Sequence, residues 1–190
     1  MSSSLAALNK RFNLRELTGV DINSINAILH SVVFVNFAIY QLQSTLSKKF
    51  YHSPNDLILE SGEILKKPTI AYNTYGEMNE AKDNVVWIFH ALTAASNVDD
   101  WWNGLVAEGQ LFDPKKHFIV CANMLGSCYG STGPNSIDPD TNKPFYHNFP
   151  FITIRDIVNS LIDLRKHLGI EKIKMAVGGS CGGYQALEWL

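Results

Sequence analysis

The 190-residue sequence is poor in cysteine, in clustered positive charge and in phosphate-cradling glycine motifs, and each shortage removes a class of function. Its three cysteines, Cys121, Cys128 and Cys181, are an odd number with no C-x-x-C spacing and no neighbouring histidine pair. Neither a disulfide framework nor a zinc site follows, so no metal is expected, and a reducing, cytoplasmic setting fits this cysteine usage. Sixteen Lys and Arg against eighteen Asp and Glu leave a formal charge of −2, with no basic cluster to meet a phosphate backbone. Nucleic acid is therefore not an expected partner. Neither G-x-G-x-x-G nor G-K-[ST] occurs, which weakens any phosphate-loop reading of the glycines near the end of the chain.

Charge is also missing from one long interval. Residues 22–47 contain no Asp, Glu, Lys or Arg, and INAILHSVVFVNFAIYQL at 25–42 is apolar enough to raise a membrane span. Asn26, His30, Ser31 and Asn36 interrupt that run, whereas a span needs about 20 predominantly apolar residues. Glu16 and Asp21 precede it and no A-x-A-like site follows, which argues against a secretory signal. Residues 1–50 thus keep three readings: a membrane segment, which is disfavoured; an accessory helix or strand packed on a core; or an upstream extension foreign to the domain that follows.

With 46% hydrophobic residues, the chain is long enough to bury one substantial core. From residue 51 onward strand and helix patterns alternate. Two apolar runs at 57–59 and 69–75 flank Gly62 and predict a β-hairpin. NVVWIFHAL at 84–92 and HFIVCANML at 117–125 are continuous apolar runs, predicting neighbouring central strands. Residues 126–150 are rich in Gly, Ser, Pro and Asn and predict a long functional loop. Helical spacing of Ile154, Ile157, Val158, Leu161, Leu164 and Leu168 follows, with Thr153 and Asp156 as a capping box and Gly169 as the stop. KIKMAVGG at 172–179 predicts a short buried strand, and a second helix opens after it. Such alternation implies a mostly parallel sheet with right-handed crossovers. In such sheets chemistry gathers beyond the carboxyl ends of the strands, where His90 and Leu92, then Asn123 to Gly126, then Ser180 fall.

The chemical signal is GGSCGG at 178–183. It satisfies G-x-S-x-G between a predicted strand and a predicted helix, the context of a nucleophile elbow. There the serine occupies a sharp, strained turn, and the amide of the following residue and the helix N-terminus face any oxyanion that forms. Ser180 is thus the candidate nucleophile. Cys181, beside it, is the rival thiol, but in this geometry it offers its N–H and turns its side chain elsewhere. A serine needs a histidine base oriented by a carboxylate, in the chain order Ser, acid, His for this fold. All six histidines precede Ser180, and Glu188 is the sole acid after it. His90 is read as structural, at the junction of its strand with the next loop.

The stretches LESGEIL, TIAYNTYG, HALT, WWNGLV, CANMLGSCYGSTGP, FPFITIRDIV and VGGSCGGYQALEW closely resemble homoserine O-acetyltransferase, an acyltransferase family of the α/β-hydrolase fold. The resemblance runs from about residue 57 to the last. It implies an α/β class, an incomplete α/β-hydrolase fold that reaches the nucleophile elbow, without the lid and C-terminal strands. Residues 51–190 would be the N-terminal part of that catalytic domain. By the same resemblance Ser180 would accept an acetyl group from acetyl-CoA and pass it to the hydroxyl of L-homoserine, in methionine biosynthesis. The backbone N–H groups of Leu92, in HALT, and of Cys181 would form the oxyanion hole. Acetyl-CoA is a substrate here and no cofactor is expected; the full-length form would be a homodimer. The family commonly has methionine where Cys181 stands, a change that leaves the amide in place.

The family's aspartate, histidine, homoserine-binding arginine and helical lid have no counterpart in these residues. The chain is therefore expected to be an N-terminal fragment or truncated reading frame, inactive alone and prone to associate through an unpaired strand edge. Two alternatives accompany this reading: a serine esterase or thioesterase of the same fold, and a non-catalytic truncated binding domain.

Overall fold

The computed structural model describes residues 48–190 apart from Asn103, so the readings of residues 1–50 lie outside that set for all but the last three of those residues. Among the described residues no helix is long and apolar enough to cross a membrane. Five strands form the main sheet, in the order β1-β4-β6-β5-β9: β1 (Lys49–His52), β4 (Thr69–Tyr75), β6 (Phe118–Ala122), β5 (Val85–Phe89) and β9 (Met175–Gly178). Two small hairpins lie outside it, β2 (Leu57–Ile58) with β3 (Ile64–Leu65), and β7 (Ile137–Asp138) with β8 (Lys143–Pro144). Helices α1 (Val98–Trp101), α2 (Ile154–His167) and α3 (Cys181–Glu188), with a short 3-10 turn at Tyr146–Asn148, complete the order among the described residues.

All five residues of β5 are buried, as an apolar run with partners on both sides requires. Alternation sends Val85, Trp87 and Phe89 into one core with Leu161 and Leu164 of α2. Val86 and Ile88 enter a second core with Val98, Val106 and Phe112. The neighbouring strands are those expected, with β5 parallel to β6 in the register Phe89↔Ala122.

Three expectations are corrected. The sheet is evenly mixed rather than mostly parallel: β1–β4 and β4–β6 pair antiparallel, β6–β5 and β5–β9 parallel. Parallel neighbours need a long crossover, usually a helix, and no helix lies between β1 and β5. Gly62, at φ +86°, does sit in a hairpin turn, but Leu57–Ile58 pairs with Ile64–Leu65. The tight turn joins the nearest residues, leaving the largely buried residues 69–75 for the main sheet. Finally, β9 is half-exposed rather than buried, with Met175 44% exposed, because among the described residues β5 alone pairs with it. The loop 126–150 also holds the β7–β8 hairpin, whose two-residue strands are too short to impose a periodicity.

Helix α2 begins as its sequence predicts. Thr153 Oγ1 accepts from Asp156 N–H, and Asp156 Oδ2 accepts from Thr153 N–H at 2.9 Å. The fully buried Asp156 also accepts from Glu60 N–H at 2.9 Å through Oδ1. One carboxylate thus joins α2 to the β2–β3 turn. Asp156→Ala should cost about 2–4 kcal/mol in urea unfolding, combining a lost cap with stranded amides. Arg155→Ala next to it removes only solvent-exposed ion pairs to Glu60 and Glu188 and should change stability little.

Candidate active site

Strand β9 ends at Gly178, and two residues later Ser180 adopts φ 55°, ψ −124° before α3 starts at Cys181. A non-glycine residue at that φ is strained by about 1–3 kcal/mol and persists only where its surroundings impose it. Two glycines impose it. A Cβ on Gly182 would meet Phe89 O, and one on Gly178 would meet Gly182 O, so strand and helix approach at backbone contact. Gly179 faces open space and Gly183 has ordinary clearance, so two of the four glycines carry the steric requirement. Ser180 is exposed, its side chain makes no cap bond, and its carbonyl accepts from Gly183 N–H at 2.9 Å. The hydroxyl is left for chemistry, and the amide of Cys181, at the N-terminus of α3, follows it directly.

The half-buried side chain of Cys181 packs against the α2-side core. The thiol therefore turns inward while its amide opens the helix. Leu92 lies three residues beyond Phe89, in a turn closed by Ala94 N–H to Ala91 O at 3.0 Å. Strands β5 and β9 are parallel neighbours in the register Phe89↔Gly178, so the Leu92 turn and Ser180 leave the same end of the sheet side by side. Cys121 is fully buried in β6, and burial pushes its thiol up, which suits an inert packing role.

His90 is fully buried and engaged at both nitrogens. Its Nδ1–H donates to Ala91 O at 2.8 Å, and Nε2 accepts from Met124 N–H at 3.1 Å. That arrangement is the neutral imidazole, and burial pulls its titration below the ordinary value near 6.5. The ring acts as a brace between the ends of β5 and β6. Glu188 is likewise occupied, accepting from Arg155 Nε at 2.6 Å. A cleft of about 490 Å³ beside Ser180 is lined by Ala176, Val177, Tyr184, Leu187 and Leu190, and among the described residues no histidine or acidic side chain lines it. A larger cleft of about 910 Å³ lies at the other edge of the sheet, against Phe50, His52, Lys66 and Thr69.

Sequence reading placed Asn123 at a strand end but missed the buried polar cluster it forms with Asn73 and Ser96. Its signal was faint: one asparagine inside each of two apolar runs, TIAYNTY and CANML.

A strained serine between a strand and a helix, at the carboxyl end of a mixed sheet, defines a nucleophile elbow, and the chain belongs to the alpha/beta hydrolase fold family, whose model matches residues 84–190. Within that family it resembles homoserine O-acetyltransferases, as its motifs led us to expect. It is 50% identical over 144 residues to the homoserine O-acetyltransferase of Cyclobacterium marinum, covering 76% of this chain and 41% of that one. For the Carboxydothermus hydrogenoformans enzyme of the same name the identity is 52% over 144 residues, covering 70% and 38%. The chain thus spans about two fifths of the length of these curated relatives. Among solved structures, homoserine O-acetyltransferase from Bacillus anthracis superposes with TM-score 0.69 at 28% identity, covering 75% of this chain and 42% of that one. Esterase E22 superposes with TM-score 0.69 at 31% identity, covering 75% and 43%.

Two outcomes follow from this geometry. Gly182→Ala should displace α3 from β5 and lower the melting temperature by circular dichroism. Gly179→Ala, facing open space, should be tolerated far better. For His90, the unfolded chain binds its proton below pH about 6.5 while the folded one resists it. Stability from this group is therefore whole above that pH and is lost as pH falls below it. The drop in melting temperature between pH 7.5 and 5.5 should be smaller in His90→Gln than in the wild type.

Proposed function

We propose that these residues carry the acyl-accepting half of an acyltransferase site that moves acetyl from acetyl-CoA to the hydroxyl of L-homoserine. The observation that carries the reading is the strained Ser180 in a chain about half identical to homoserine O-acetyltransferases. Ser180 Oγ attacks the thioester carbonyl, and the oxyanion is held by the N–H groups of Leu92 and Cys181. Collapse breaks the C–S bond and releases CoA as its thiol, leaving acetyl-Ser180. The homoserine hydroxyl then attacks that ester, frees Ser180 and leaves as O-acetylhomoserine.

Without a base, acylation proceeds only at the residual rate that the oxyanion hole and binding supply. For full turnover both half-reactions use one to take the hydroxyl proton, ordinarily a histidine held by a carboxylate. The cleft walls next to Ser180 supply neither, His90 is locked as a neutral brace, and Glu188 is tied to Arg155. In this proposal turnover draws its base from outside the described residues. The active form is a homodimer and works in methionine biosynthesis.

Hydrolysis is the second reading, favoured by the equal likeness to esterase E22. Transfer and hydrolysis share the acyl-serine and differ in whether water or an alcohol reaches it. A non-catalytic binding role is the third. A chimera joining this chain to the remaining part of the Cyclobacterium marinum relative separates them. Release of CoA thiol should depend on added homoserine and fall by about 10³-fold or more in Ser180→Ala. Release without homoserine would turn the reading to hydrolysis. Release undiminished in Ser180→Ala, or none at all from a folded chimera, would overturn the role of the serine.

A further inference from the structure

We infer that Asn123 is a positioning residue for the turn that presents the Leu92 amide. The inference rests on the reading of Ser180 and Leu92 given above and extends it to a residue on the adjacent strand.

Leu92 itself is poorly held. Its side chain is 69% exposed, and a single 3.0 Å backbone bond closes its turn. An amide that must meet an oxyanion needs a fixed place, because an error of about 1 Å can cost on the order of 100-fold in rate. The restraint comes from both ends of the segment, through consecutive residues that follow β6. At the entry, Met124 N–H donates to His90 Nε2 at 3.1 Å, and His90 Nδ1–H donates to Ala91 O. At the exit, Asn123 Oδ1 accepts from Ser96 N–H at 2.8 Å, and Asn123 Nδ2 donates to Ser96 Oγ at 3.0 Å. Ser96 Oγ then donates to Asn73 Oδ1 at 2.7 Å on β4.

Asn123, Ser96 and His90 are each fully buried. In such surroundings an unpaired amide is costly, so these bonds hold one arrangement firmly. Asn123 Nδ2 also donates to Tyr129 O at 2.9 Å, and Tyr129 OH reaches Thr93 O at 3.4 Å. Asparagine is suited to the place because a single side chain accepts from the turn's exit amide and donates to its hydroxyl.

Ser131 supplies the control. It is 4% exposed, its Oγ donates to Asn123 O at 2.6 Å and accepts from Ala71 N–H at 3.0 Å, and neither bond reaches residues 91–96. Ser131→Ala thus loses comparable buried bonds without freeing the turn.

The test is acetylation of Ser180 in the 190-residue chain by p-nitrophenyl acetate, a single event rather than turnover. A Ser180 Oγ–C bond forms, the aryl ester C–O bond breaks, p-nitrophenolate leaves and the serine proton goes to buffer. An oxyanion hole and substrate binding together still accelerate acyl transfer without the base, by about 10³-fold over water. Intact mass and peptide mapping follow the label, with Ser180→Ala as the blank and circular dichroism confirming each fold. Asn123→Ala should acetylate Ser180 about tenfold or more slowly, while Ser131→Ala stays within about twofold of the wild type. If Asn123→Ala does not fold, Ser96→Ala, which severs the bonds to Oγ on the turn itself, should show the slowing. Equal rates in the wild type and the variant, or an equal fall in Ser131→Ala, would overturn the inference. No label at Ser180 in the wild type would overturn the reading of the site, and this inference with it.

Discussion

The backbone contact between Gly182 and the carbonyl of Phe89 is the constraint on which the rest of the site depends. It brings the first turn of α3 against the end of β5, tighter than any side chain would permit. With α3 there, the link from Gly178 must turn within two residues, and Ser180 takes the strain at φ 55°. The strain is local and the surrounding packing holds it. Trp189, just past α3, lies 5.0 Å from Trp87 and 5.3 Å from Phe89, pinning the far end of the helix to the strand its first turn abuts.

The second requirement is that β5 be immovable, since it carries both the contact for α3 and the turn bearing Leu92. Its five buried residues divide between two cores, so a shift along the strand would disturb both faces at once. Hydrogen bonds extend that rigidity past the strand's end, where apolar packing stops. His90 and Ser96 anchor the departing chain to the end of β6. The polar groups are buried because they stand in for strand pairing where the strands have run out.

Much of this was legible in the residues. The β5 and β6 runs, the capping box of Thr153 and Asp156, and G-x-S-x-G between strand and helix are local patterns with local causes, and each formed where its pattern lay. The structural reading of His90 also held, since a histidine inside a buried run has backbone groups to satisfy. Pairing was less legible. Leu57–Ile58 had two apolar partners downstream, and turn length chose the nearer. The exposure of β9 was hidden because an apolar strand reads alike whether flanked on one side or two.

By itself, then, the sequence determined the elements, the serine and its place between strand and helix, because periodicity, capping and the glycine requirement act over a few residues. Tertiary structure decided which strands neighbour one another, that Cys181 turns inward, that Glu188 is held by Arg155, and that Asn123 reaches Ser96. Those outcomes join residues as far apart as Val86 and Met175. They arise when separate elements compete for the same buried surface, a competition that no short window of sequence contains.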